Sequence, residues 1–335
     1  MPDQVTETAL APWNATQAVG QPSALSETAM AYARQALAPA TRRAYASHLR
    51  AWEAWCKGRG VPPAPASPAL VANHLAELAG QRSHATLSGR LAAIAQAHAL
   101  LRLPFDAGDP ELRKTLQGIA RTHGRRPRRQ AAPLLTPDVI RIASACGGSL
   151  RGERDRALLL LGFAGAFRRS ELVRIRVADL SFGPHGVSVL LPRSKSDQEG
   201  QGTVVHVAAN PLAAHCPVAA LRAWLADAGI KDGWVFRRIT RSDAVGRRPL
   251  SAEGLRLILK ERAWEAGYRG AALARISPHS LRAGCITTLA QASVHERDIM
   301  RHSRHDSQTV MRGYIRAAAA EEALTSGALW RRKDG

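Results

Sequence analysis

Apolar positions in this chain recur every three to four residues almost throughout, and the breaks in that period mark its organisation. From Ser26 the pattern is helical. Tyr45, Leu49, Trp52 and Cys56 share one face of TRRAYASHLRAWEAWC, which stops at Lys57-Gly58 before the break VPPAPASP. The same spacing predicts helices over 68–79, 83–101 and 109–121 with no strand signal between them, so residues 23–121 read as a small helical-bundle domain. Residues 1–22 are rich in Ala, Thr, Pro and Gln without periodicity and read as a flexible tail. In RTHGRRPRRQAAP, which ends at Pro133, clustered arginines cannot enter a core and Pro interrupts a helix, so 122–133 is expected to be a basic linker.

A second domain, 134–335, begins with LLTPDVIRIASAC, where Thr136 is a candidate N-cap and Pro137 the first helical residue. The apolar run from Ala157 to Phe167 is too short to span a bilayer and predicts a buried helix over 155–167. The period then changes to two in GVSVLLPR and TVVHVAA, which predict one small antiparallel sheet joined through SKSDQEGQG. Helices are expected again over 217–228, 251–267, 277–292 and from 307 onward. The expected fold class is mainly α with a small antiparallel β-sheet, a helical bundle followed by an α+β domain.

Charge narrows the partner. Lys plus Arg is 47 against 27 acidic residues, a net of +20, and this excess predicts a large polyanion. Only six of the basic residues are lysines. The planar fork of arginine suits phosphate. Arg42, Arg43 and Arg90 in the helical domain and Arg125, Arg126, Arg128 and Arg129 in the linker are the expected DNA-facing cations. Cys56, Cys146, Cys216 and Cys285 are far apart and form no CxxC pair, which argues against structural zinc or disulfides. The N-terminus lacks the basic and apolar regions of a signal peptide. These features predict a soluble, cytoplasmic protein.

The candidate chemistry gathers in Ser277–Arg316, where His279, Arg282, His305 and Tyr314 stand three, 23 and nine residues apart. Ser277 and Pro278 place His279 and Arg282 on a helix N-terminus, whose free N–H groups favour an anion. Asp306 and Ser307 would cap the helix bearing Tyr314, and His302 is an alternative to His305. Upstream, Arg168 ends the apolar segment in GAFRRSEL, with Ser170 a candidate cap and Glu171 near enough to orient its guanidinium. HxxR also occurs at His123/Arg126 and RxxE at Arg50/Glu53 and Arg262/Glu265, so neither spelling is informative without its context. Lys195, on the hairpin, is a mobile ammonium able to protonate a leaving group.

GAFRRSEL, a hairpin lysine, HSLR, RHDS and MRGYIR, in that order and across about residues 26–330, resemble the tyrosine recombinase (phage integrase) family. The resemblance implies a core-binding domain followed by a catalytic domain. It implies that Arg168 and Arg282 clamp the scissile phosphate, with Glu171 in support, and that Lys195 is the acid protonating the 5′ oxygen. His279 would be an acid/base and phosphate contact, His305 a hydrogen-bond partner of a phosphate oxygen, and Tyr314 the nucleophile forming a 3′-phosphotyrosyl link. It further implies no cofactor, no metal and no ATP, double-stranded DNA with specific recombination sites, and a homotetramer working through a Holliday junction. Ala317–Trp330 resembles the segment that docks on a neighbouring protomer. The family often has Gly before the second His, where this chain has Arg304; the gap to Tyr314 favours His305 over His302. The rival readings are a type IB topoisomerase and a non-catalytic DNA-binding protein.

Overall fold

The computed structural model describes residues 36–125, 131–192, 202–240 and 242–305. The chain divides into two compact units, 1–128 and 129–335. The tail 1–22, Arg126, Arg128, Arg129, Lys195, Tyr314, the expected helix from 307 and the segment 317–330 all lie outside the described residues.

The described part of the first unit holds four helices, α1 (Pro39–Lys57), α2 (Pro68–Glu77), α3 (His84–Leu100) and α4 (Pro110–His123). Their starts are set by side chains. Ser67, Ser83 and Asp109 each accept a backbone N–H of the following turn, and α1, α2 and α4 open on Pro. Leu49, Trp52 and Cys56 of α1 pack with Val71 and Leu75 of α2, Leu87 and Ile94 of α3, and Leu112 of α4. Trp52 is fully buried, and its indole N–H donates to the Pro63 carbonyl at 3.0 Å. α4 runs two residues further than its apolar pattern predicts, to His123.

The second unit contains α5 (Thr136–Ser144), α6 (Leu150–Ala164), α7 (Arg169–Leu172), β1 (Leu180–Gly183), β2 (Gly186–Leu191), β3 (Thr203–Ala208), α8 (Pro217–Asp227), β4 (Arg237–Ile239), β5 (Val245–Pro249), α9 (Ala252–Glu265), α10 (Gly270–Arg275), α11 (Pro278–Gln291) and α12 (Glu296–Ser303). It is mostly helical with small antiparallel sheets. α6 is the central element, packed on α8, α5 and α11. β1, β2 and β3 form one sheet, with Val187 opposite Val207 and Val189 opposite Val205, all buried. No helix among the described residues is long and apolar enough to cross a membrane.

Four departures from the sequence expectations have physical reasons. A second sheet, β4–β5, accompanies the one expected; its strands are rich in exposed or half-exposed Arg, so no apolar alternation announces them. α6 begins at Leu150 instead of 155, because its charged first turns are buried by pairing: fully buried Asp155 holds Arg154 at 2.7 Å and Arg262 of α9 at 2.8 Å. Thr136 is helical and not the cap; Leu135 precedes the helix, and its N–H donates to Asp138 at 3.0 Å. α12 carries only Ile299 and Met300 as large apolar residues, too few for a recognisable period.

α11 is held against the start of the unit. The Leu134 N–H donates to the Ser280 carbonyl at 3.0 Å, and a Cβ on Gly284 would meet the Leu134 carbonyl oxygen at 1.7 Å. Only glycine allows this approach.

Candidate active site

The end of α6 turns sharply through Gly165, Ala166 and Phe167. Ala166 has φ 46°, the left-handed region that a side chain rarely adopts. The turn aims three successive carbonyls at side chains from the C-terminal part of the unit. His302 Nε2 lies 2.8 Å from the Ala164 oxygen, Arg304 Nη1 donates to Gly165 at 3.2 Å, and Arg282 Nη1 and Arg304 Nη2 donate to Ala166 at 2.7 and 3.1 Å.

Arg168 follows as the residue that caps α7. Glu171, three positions on, accepts the Arg168 backbone N–H at 2.9 Å and its Nη1 at 2.7 Å, so one carboxylate both starts the helix and orients the guanidinium. Ser170 lies inside α7 and is not its cap, as the sequence had suggested. Arg168 Nη2 donates to the Arg304 carbonyl at 2.8 Å. Glu171 also receives Arg304 Nη2 at 3.0 Å. Burial pushes the Glu171 carboxyl up, but the charge of Arg304 and the bonds from Arg168 outweigh it and hold the group below the usual carboxylate range.

α11 supplies His279 and Arg282. As the sequence suggests, Ser277 is the N-cap residue and Pro278 the first helical one, and the Ser277 N–H donates to Ser280 Oγ at 3.0 Å. Arg282 is 2% exposed and His279 is exposed. Although its surface is open to solvent, partial desolvation and then the Arg282 charge move the His279 imidazole below its ordinary value, toward its neutral form. Arg282 Nη2 lies 3.2 and 3.3 Å from the two ring nitrogens of His305. Burial, followed by the charges of Arg282 and Arg168, lowers His305 to about 4. Ser303 Oγ donates to the Ile299 carbonyl at 2.6 Å and stands 2.8 Å from His305 Nδ1, an arrangement that fits a proton on Nδ1.

The structure therefore brings Arg168, Glu171, Arg282 and His305 together from three separate stretches of chain, with His279 two residues into the same helix as Arg282. His302 instead bonds the Ala164 carbonyl. Two further tyrosines are engaged elsewhere: Tyr45 packs on the first unit's core, and the Tyr268 hydroxyl donates to Asp138 at 2.5 Å beneath the Arg141 guanidinium.

The expected DNA-facing arginines separate into two groups. Arg43 and Arg125 are exposed and Arg42 is half-buried. Arg90, expected on that surface, is corrected to a core position. It is 8% exposed and its Nη1 lies 2.9 Å from His74 Nε2, beneath the stacked Trp52–Trp55 pair. Desolvation, then the Arg90 charge, lowers His74 to about 4. Arg304 is the member of the site that the sequence reading noted only as a departure from pattern. Its signal was a charged residue where glycine is usual.

A helical first unit, and a second unit gathering arginines and histidines around the buried Glu171 carboxylate, define an anion-handling protein. The phage integrase family model matches residues 134–321, and the chain belongs to that family of tyrosine recombinases. An integrase/recombinase xerD homolog from Selenomonas ruminantium is 37% identical over 281 residues, covering 82% of this chain and 81% of the relative. Two solved structures share the fold. XerH site-specific recombinase bound to palindromic difH substrate, a post-cleavage complex, has a TM-score of 0.64 at 16% identity, covering 98% of this chain and 95% of that one. A lambda integrase tetramer bound to a Holliday junction has a TM-score of 0.56 at 17% identity, covering 85% and 74%.

Proposed function

We propose that this chain is a site-specific DNA recombinase that breaks and rejoins strands through a 3′-phosphotyrosyl intermediate, acting in the cytoplasm as a homotetramer on paired recombination sites. The observation that carries this reading is the convergence of charge at the site: Arg168 is oriented by Glu171, which Arg304 also bonds from behind, and Arg282 is held by the Ala166 carbonyl beside His305. Converging guanidinium groups make a partly desolvated place for a phosphodiester.

In this reading Arg168 and Arg282 bind the nonbridging oxygens and stabilise the charge that redistributes as phosphorus becomes five-coordinate. The Tyr314 oxygen attacks phosphorus and its proton passes to neutral His279. The bond to the 5′ oxygen breaks, and Lys195 protonates that oxygen. Burial first and the arginine charges second depress His305; the phosphate's negative charge offsets the second and favours a protonated imidazole that donates from Nε2 to a phosphate oxygen. Attack by a 5′-hydroxyl from the partner duplex reverses these steps and exchanges strands, with the covalent link conserving the energy of the broken bond. This sequence of steps draws on no metal and no nucleotide cofactor.

Footprinting the full-length protein on genomic DNA identifies its site, and a nicked duplex carrying that site then traps the intermediate. Wild type should accumulate covalent protein–DNA adduct, and Tyr314→Phe none. Equal and negligible trapping by both would reduce the chain to a DNA-binding protein. Efficient relaxation of a supercoiled plasmid lacking the site would favour a type IB topoisomerase.

A further inference from the structure

Arg304 occupies a position that ordinarily selects glycine. α12 ends in a paired turn: the His305 N–H bonds the Met300 carbonyl at 3.1 Å and the Arg304 N–H bonds the Arg301 carbonyl at 3.3 Å. This is the Schellman arrangement, whose penultimate residue must be left-handed, and Arg304 has φ 57° and ψ 50°. A side chain there is strained by about 1–2 kcal/mol relative to a right-handed residue. The guanidinium is moreover buried, 7% exposed by residue. Both costs call for compensation. It comes from four bonds, to Gly165, Ala166, the His302 carbonyl and Glu171, and from the face of Phe167 at 5.3 Å.

These partners are the groups that set the site. Ala166 is shared with Arg282, Glu171 is shared with Arg168, and the Arg304 carbonyl accepts Arg168 Nη2. The left-handed turn at Arg304 aims the next residue, His305, at Arg282.

We infer that Arg304 is a positioning residue: its side chain ties the α6–α7 turn to the end of α12, and thereby fixes Arg168, Arg282 and His305 in one geometry for the scissile phosphate. It holds Arg168 through Glu171 and through its own carbonyl, holds Arg282 through Ala166, and holds His305 through the turn. Glycine in its place would relax the backbone yet leave the two halves of the site joined by fewer bonds. This inference rests on the recombinase reading, and adduct formation by wild type is the control that separates the two.

The test uses full-length wild type, Arg304→Gly and Arg304→Lys on the nicked duplex, with single-turnover cleavage, affinity for the same duplex and thermal unfolding recorded for each. Arg304→Gly should cleave about 100-fold more slowly, the scale of a misplacement of about 1 Å, with its affinity for the duplex unchanged. Arg304→Lys keeps the charge without the fork and should also be slowed.

A purely structural role would leave the pH profile where it is. The groups facing Glu171 are Arg168 on its own turn and Arg304 beyond α12; Arg282 and Cys285 of α11, with His302 and His305, surround Arg304. Loss of Arg304 should therefore move the acid limb of the cleavage profile upward, and in a Glu171→Gln background that displacement should shrink to the part carried by His305 and His302. Wild-type cleavage rates in Arg304→Gly, or slowed cleavage with an unmoved acid limb, would overturn the inference. If Arg304→Gly unfolds, Arg304→Lys decides by the same readouts; if both unfold, Arg304 is a folding residue and the inference fails. No adduct from wild type would instead count against the recombinase reading.

Discussion

Replacing Glu171 with glutamine keeps the shape of the side chain and removes its charge. The carboxylate is buried, its side chain 4% exposed, and it accepts three hydrogen bonds, from Arg168 N at 2.9 Å, Arg168 Nη1 at 2.7 Å and Arg304 Nη2 at 3.0 Å. A glutamine oxygen in the second oxygen's place keeps two of them, while its amide then faces Arg168 Nη1, donor against donor. Removing one partner of a buried ion pair costs roughly 3–5 kcal/mol. Arg168 is 22% exposed on its side chain and can turn toward water, so about 2–3 kcal/mol remains for Glu171→Gln. In a unit of this size that lowers Tm by about 4–12 °C. Because the Glu171 carboxyl is held below its unfolded value, the unfolded chain takes up the proton first and stability rises with pH through that window. The contribution is complete above the unfolded value of about 4.3 and is lost as pH falls through the lower folded value. Urea denaturation of wild type and Glu171→Gln, followed from pH 7 to pH 3, measures both effects. Equal stabilities at pH 7, or a gap that stays constant down to pH 3, would refute the reasoning.

His305 and His74, both lowered to about 4, should show imidazole NMR titrations near that value in the free protein, and His305 should move upward when DNA bearing the site is bound; an ordinary titration for either in the free protein would contradict its described burial. Arg90→Ala should destabilise the first unit by about 1–3 kcal/mol, by stranding the buried His74 acceptor, whereas Arg43→Ala should leave stability unchanged and weaken DNA binding at low salt. Denaturation and salt-dependent affinity separate the two. Gly284→Ala places a methyl group against the Leu134 carbonyl and must displace α11, so Tm and cleavage should fall together; retained cleavage would show that α11 does not set the Arg282 position.

Much of the fold was readable where a cap and an apolar stripe coincide: Ser67, Ser83 and Ser251 start helices where the pattern starts. The pattern failed where burial is achieved by charge pairing, as in the first turns of α6, and where short strands carry exposed arginine in place of alternating apolar residues, as in β4 and β5. At the site, Arg168, Glu171, Arg282 and His305 were legible as a series of motifs. The Ala164–Ala166 carbonyls were not, because a main-chain acceptor leaves no trace in residue identity; only the left-handed turn at Ala166 aims them. Arg90 misled for the converse reason. A buried arginine bonded to a buried histidine is indistinguishable, in sequence, from one awaiting a phosphate.

The central claim is that one tyrosine, Tyr314, becomes bonded to DNA. Mass spectrometry of the trypsin-digested covalent complex, formed on a nicked duplex bearing the footprinted site, addresses it directly. The account predicts that the peptide Gly313–Arg316 carries the 3′-phosphoryl nucleotides on Tyr314. An adduct on Tyr32, Tyr45 or Tyr268, or cleavage that leaves no protein attached to DNA, would contradict it.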